Sequence, residues 1–161
     1  MYGKATETAF AALSRLAEVY DGGTTRLSAK QIAESRGLQH PFVSKILSTL
    51  SQAGIIEGAR GPGGGFSFVR NPKEVALYDV FRLFERENES KVCPFGGGVC
   101  GSGDKCPLHD KLIDVQKATD AMLRKTSFDV FRLAYQKGAR EKSAWRRAAK
   151  NKTRKTYRAI R

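Results

Sequence analysis

Apolar residues at Ala9, Phe10, Leu13, Leu16, Ala17 and Tyr20 recur with the three-and-four spacing of one helix face, which predicts a first helix over residues 5–20. Asp21-Gly22-Gly23 stops it. Ser28 and Gln31 then have the spacing of a capping box, in which hydroxyl and amide each satisfy a helix-end N–H. The helix they open, 29–35, is short and ends at Arg36-Gly37-Leu38, where glycine takes a positive φ at least cost. A third helix is predicted over 41–53, with Pro41 tolerated in its first turn and Phe42, Val43, Ile46, Leu47 and Leu50 as its apolar stripe. Gly54 ends it.

Beyond Gly54 the period changes. Ile55-Ile56-Glu57 and Phe66-Ser67-Phe68-Val69 read as two short strands, joined by the loop Arg60-Gly-Pro-Gly-Gly-Gly65. A hairpin directly after a helix–turn–helix is the wing of a winged helix. Asn71-Pro72 breaks the chain, and a fourth helix follows over 77–87 with Val80, Phe81 and Phe84. Residues 88–109 are glycine-rich and expected to be loop. A long amphipathic helix is predicted over 110–125, with Leu112, Val115, Thr119, Met122 and Leu123 on one side. Thr126 and Asp129 are read as the capping pair of a short helix through Tyr135. An apolar face on a helix outside a small domain calls for a partner, most simply a second copy. The fold expected is mostly α with a small β wing: a winged helix-turn-helix over 1–87, a cysteine-rich loop over 88–109, a dimerisation helix and short helix over 110–136, and a basic flexible arm over 137–161.

Charge adds a partner to this picture. The chain carries 29 Lys+Arg against 16 Asp+Glu, a net charge of +13. An excess of this size favours an anionic partner, here double-stranded DNA. It is unevenly placed, since residues 137–161 hold eleven basic side chains and one acid, Glu141. No apolar run is long enough to cross a bilayer and no signal-peptide pattern opens the chain, so a cytoplasmic protein without a membrane partner is expected. No phosphate-binding motif or acid-supported Cys/His pair is present, so an enzyme is not expected.

In a helix–turn–helix the N-terminal residues of the second helix meet base edges in the major groove. Those residues are Gln39, His40, Pro41, Phe42, Ser44 and Lys45. Lys45 suits a phosphate or guanine, Ser44 a base edge or phosphate, and Phe42 a thymine methyl. Thr49 lies one turn further on and suits the backbone, and Ser28 joins this set at the start of the preceding helix. Arg60 on the wing suits a narrow minor groove, with Gly61, Pro62 and Gly63 bringing main chain close to the sugar–phosphate surface.

The run from Gly54 to Phe66, together with Ser28-Ala-Lys-Gln-Ile-Ala33 and His40-Pro-Phe-Val-Ser-Lys-Ile-Leu47, resembles the IscR/NsrR family of bacterial transcription regulators. The resemblance covers about residues 1–136. It implies a homodimeric winged helix whose long helix crosses its twin, a roughly palindromic operator, and DNA contacts at Phe42, Ser44, Lys45 and Arg60. It also implies that the cysteine stretch occupies the position of the family's cluster-binding residues.

That stretch contains all three cysteines, Cys93, Cys100 and Cys106, with His109 three residues after the last. Thiolates with an imidazole select zinc, copper(I) or iron–sulfur clusters over hard cations. Structural zinc sites pair their ligands more tightly than C-x6-C-x5-C-x2-H does, and a wide glycine loop suits a larger group. An iron–sulfur cluster, 2Fe-2S or 4Fe-4S, is expected. Three thiolates leave one position for His109 or for a carboxylate. The resemblance implies Glu7 as that carboxylate, delivered from the partner subunit, and equally admits His109. The first gap is one residue longer than the family's usual five. The function expected is a repressor whose operator affinity is controlled by a cluster sensing redox state, nitric oxide or cluster supply. The alternative is a zinc-stapled or thiol-switch winged-helix protein without a cluster.

Overall fold

The computed structural model describes residues 3–85 and 106–139. The elements run α1 (Lys4–Glu18), α2 (Ala29–Arg36), α3 (His40–Gln52), β1 (Ile56–Ala59), β2 (Gly65–Phe68), a 3-10 turn (Pro72–Glu74), α4 (Leu77–Phe84) and α5 (His109–Lys125). Residues 129–139 are helical as well. This is the mostly helical winged helix-turn-helix, with a long helix appended, that the sequence predicts.

The element ends have local causes. Ser28 Oγ accepts from the Gln31 N–H and the Gln31 side chain accepts from the Ser28 N–H, so the capping box forms on both sides. Gly37 closes α2 at φ 63°, ψ 35°, the left-handed cap that glycine adopts without strain. α3 begins at His40, with Pro41 in its first turn. α1 stops at Glu18, two residues earlier than its apolar spacing suggests.

β1 and β2 pair antiparallel in the register Ile56↔Phe68, Glu57↔Ser67, Gly58↔Phe66 and Ala59↔Gly65. The hairpin is anchored to the helices by a bridge that the sequence does not announce. The Leu27 N–H donates to the Phe66 carbonyl at 3.1 Å and the Phe66 N–H returns to the Leu27 carbonyl at 2.8 Å. Gly65 makes this approach possible: at φ +143°, a Cβ there would lie 2.7 Å from the Leu27 carbonyl carbon.

α1, α2, α3 and α4 enclose one core containing Leu13, Leu16, Ile32, Val43, Leu47, Leu50 and Val80. Phe128 belongs to the same core and is fully buried. Its ring packs at 6.1 Å from each of Phe10, Phe68 and Phe131. Residues 126–128 also form backbone bonds with the start of α4, Leu77 N–H to the Thr126 carbonyl at 2.9 Å and Phe128 N–H to the Val75 carbonyl at 3.0 Å. Phe128, placed by the sequence in the dimerisation unit, is thus a core residue of the winged helix. Thr126 is the C-cap of α5, and the Asp129 carboxylate binds Arg132 Nε at 2.6 Å. The expected Thr126/Asp129 capping pair is corrected accordingly: helix 129–139 starts two residues too late for Thr126 to cap it.

α5 begins at His109, one residue earlier than its apolar pattern suggests, and packs on α4. Arg124 lies over the Tyr78 ring at 3.6 Å and is held there by Asp120 at 2.9 Å. Of the predicted apolar face, Leu123 is buried and Leu112 and Thr119 are half-buried, whereas Val115 and Met122 are 64% and 48% exposed. Among the described residues no helix is long and apolar enough to cross a membrane.

Candidate nucleic-acid interface and cysteine centre

α3 buries Val43, Ile46, Leu47 and Leu50 and turns its other side outward. Gln39, His40, Pro41 and Lys45 are exposed there, while Ser44 and Thr49 are half-buried. Ser44 Oγ donates to the His40 carbonyl at 3.0 Å and Thr49 Oγ1 to the Lys45 carbonyl at 3.3 Å. Both hydroxyls keep lone pairs for a ligand while resting on their own helix. Phe42 is half-buried and packs against the core, so only part of its ring faces outward. Ser28 spends its oxygen on the capping box and stays half-buried.

The wing tip is open. Arg60, Gly61, Pro62 and Gly63 are all exposed, and Gly61 and Gly63 have φ of 89° and 76°. A turn bond, Gly64 N–H to the Gly61 carbonyl at 2.9 Å, closes the tip. At the hairpin's base Arg26 pairs with Glu57 at 2.5 Å, which takes one cation away from any ligand and leaves Arg60 as the cation of the tip. The two residues are 31 positions apart, so nothing local in the sequence announces the pairing.

The helix–turn–helix is fastened to α1 by charge. The Arg36 guanidinium donates to the Ala11 carbonyl at 3.3 Å, to Ser14 Oγ at 3.1 Å and to Glu18 Oε1 at 2.7 Å. Arg15 holds the other carboxylate oxygen of Glu18 at 2.9 Å. Burial acts to raise the Glu18 pKa, but the hydrogen bonds from Arg36 and Arg15 outweigh it and leave the carboxyl below the ordinary glutamate value.

Of the predicted metal ligands, Cys93 and Cys100 lie outside the described residues. Cys106 is a half-buried free thiol just before α5. Its carbonyl accepts the His109 N–H at 3.0 Å, so one turn joins the third thiol and the histidine. A thiol and an imidazole in one turn are donors of the type that soft metal centres take. Glu7 is exposed in the first turn of α1, with Lys4 Nζ 3.9 Å from its carboxylate. Among the described residues no three His, Cys, Asp or Glu side chains gather into a metal-binding group.

The family model for Rrf2, described as iron-dependent transcriptional regulators, matches residues 2–131. The HTH-type transcriptional repressor NsrR of Streptomyces coelicolor is 32% identical over 120 residues, 74% of this chain and 80% of that protein. In curated relatives from Aquifex aeolicus and Rhodopseudomonas palustris the match spans only 60% and 38% of the relative's length. The fold is that of the solved T. potens IscR, with TM-score 0.62 and 22% identity over 83% of this chain and 88% of that one. It is also that of CymR, described as the global cysteine regulator of B. subtilis, with TM-score 0.64 and 19% identity over 81% and 95%.

Proposed function

The chain belongs to the Rrf2 family, whose members are transcriptional regulators rather than enzymes, and we propose that it is a cytoplasmic, homodimeric, DNA-binding repressor controlled by an iron–sulfur cluster. The observation that carries the reading is the open N-terminal turn of α3, with Gln39, His40, Pro41 and Lys45 exposed, in a chain whose wing tip exposes Arg60 to Gly63. Lys45 and Arg60 meet phosphate or base edges, and Gln39, His40 and Ser44 supply hydrogen-bonding groups. Phe42 and Pro41 supply apolar contact, Thr49 and Ser28 lie towards the backbone, and Gly61, Pro62 and Gly63 admit the wing to the groove. Two copies joined along α5 through Val115 and Met122 present two such surfaces to half-sites about one helical turn apart.

Cys93, Cys100 and Cys106 hold the cluster, with His109 or the partner subunit's Glu7 completing it. The bound group supplies a centre reactive towards oxidants and nitric oxide. The chain's part is to supply soft donors and to order the segment between α4 and α5 when they are engaged. A non-thiolate fourth ligand leaves one position weaker than the other three.

The test is anaerobic purification, followed by visible absorption with iron and sulfide analysis and by operator binding before and after cluster removal. A broad band between roughly 320 and 420 nm with matching iron and sulfide is expected, together with an operator affinity that changes on removal. A colourless protein that stays colourless after reconstitution, and carries zinc or only free thiols, overturns the cluster and leaves a zinc-stapled or thiol-switch regulator. The same affinity in both states removes the control.

A further inference from the structure

α1 receives no side-chain cap from its own N-cap residue, Gly3. A carboxylate from the other end of the described winged helix serves instead. Glu85, the C-cap of α4, accepts the Gly3 N–H at 2.6 Å and the Thr6 hydroxyl through the same oxygen, Oε1. Thr6 is fully buried, so its hydroxyl depends on this partner. A Cβ at Gly3 would stand 3.1 Å from Glu85 Oε1, so the approach is close. The negative charge sits at the positive end of a 15-residue helix.

Two further observations give this contact a direction. Glu85 immediately precedes the segment that carries Cys93 and Cys100. The first turns of α1 in turn face the DNA-reading helix, where Lys4 and Thr8 line a shallow cavity of about 430 Å³ together with Leu38, Gln39 and Phe42. Glu7, one turn beyond Gly3, donates its N–H to the Gly3 carbonyl at 3.1 Å and shares this end of the helix.

We propose that Glu85 is a positioning residue that latches the base of the cysteine segment to the N-terminus of α1, and through it sets the start of α3. The proposal rests on the functional reading only for what loads the segment. The latch itself is a property of the unloaded protein. A shift of Glu85 pulls on Gly3 and Thr6, which both bond to it, and is passed to the start of α3 where α1 packs on α3. Coupling of this kind requires a demonstrated response at the far end.

Hydrogen exchange of the cluster-free full chain supplies the test, comparing wild type with Glu85→Ala. The Glu7 N–H, and the Phe42 and Val43 N–H groups that bond to the Gln39 carbonyl, are expected to exchange about tenfold faster, while the Leu27 N–H held by the wing changes less than about twofold. Acceleration confined to α1, with Phe42 and Val43 unchanged, overturns the latch. Equal acceleration at Leu27 overturns it too, since that is general loosening. Thr6→Val, which removes the buried hydroxyl at constant shape, serves if Glu85→Ala does not fold, with acceleration expected at the same amides. A second readout separates this proposal from the cluster. Wild-type operator affinity that is equal with and without the cluster removes the cluster control and leaves the latch to stand on exchange. If wild type does respond to the cluster, Glu85→Ala is expected to reduce the loaded-to-unloaded affinity ratio to within about twofold of one. A ratio retained at the wild-type value overturns the latch as a coupling element.

Discussion

Lys45 and Glu18 show how differently single charges act in this molecule. Lys45 is exposed on α3 with its ammonium turned to solvent, so its removal leaves the fold intact. Lys45→Ala is expected to weaken operator binding by about 1–3 kcal/mol if it reads guanine, or to weaken binding to all sequences and lower the salt slope by about 1 if it meets phosphate. Titrations at several salt concentrations, on operator and scrambled duplexes, distinguish these. Glu18 is mostly buried between Arg36 and Arg15, and its carboxyl ionises below the ordinary glutamate range because those two hydrogen bonds favour the anion. A lowered folded-state pKa means that its stabilisation is present above the unfolded value of about 4.3 and is lost as pH falls through the folded value. Glu18→Gln is expected to cost about 1–3 kcal/mol at pH 7 in urea unfolding, and the gap to wild type is expected to close as pH falls through the lowered folded-state value. A gap independent of pH would assign the loss to packing rather than charge. The types and spacing of both residues are plain in the sequence. Only Lys45 is assigned a role by them, because Glu18 meets Arg36 across eighteen positions.

At the scale of elements, local chemistry was largely legible. The Ser28/Gln31 box, the Gly37 cap, Pro41 in the first turn of α3 and the glycine wing all lie where turn chemistry puts them, because each involves residues within a few positions of one another. The bridge from Leu27 to Phe66 was not legible: Leu27 stands alone between turn and cap, and nothing in its neighbours signals a strand. α5 is the element whose pattern and packing differ most. Its apolar face is only partly covered by α4, and Val115 remains largely exposed. Val115→Glu is expected to shift the protein towards a 17.8 kDa species in sedimentation equilibrium without loss of helical circular dichroism. An unchanged association would place the contact between copies elsewhere on the surface.

The whole molecule joins a mildly basic body to a tail that holds most of the excess charge. The family match ends at residue 131, whereas eleven of the 29 basic residues lie in 137–161. Clustered cations add affinity for phosphates without selecting sequence. Deleting residues 138–161 is expected to make the dependence of affinity on salt several units shallower, with the preference for operator over scrambled DNA kept within about threefold. Loss of that preference would mean that the tail reads bases. The donor types and spacing of the candidate cysteine centre are read from the sequence, Cys106 and His109 share one described turn, and Cys93 and Cys100 lie outside the described residues.

By itself the sequence determined the order and kind of the elements, the wing, the Lys45 cation of α3, the soft-donor stretch and the charge of the tail. Periodicity, capping and turn geometry act over a few residues, so they survive reading along a line. The tertiary structure alone decided that Glu85 caps α1, that Arg36 reaches Glu18, that Arg26 is paired with Glu57 and that Phe128 completes the core. The polar contacts join residues 18 to 82 positions apart, Phe128 meets a Phe10 still further off in the chain, and each satisfies a charge, a helix end or an apolar face left open locally. Which distant group satisfies it depends on how the helices pack, and only the folded chain specifies that.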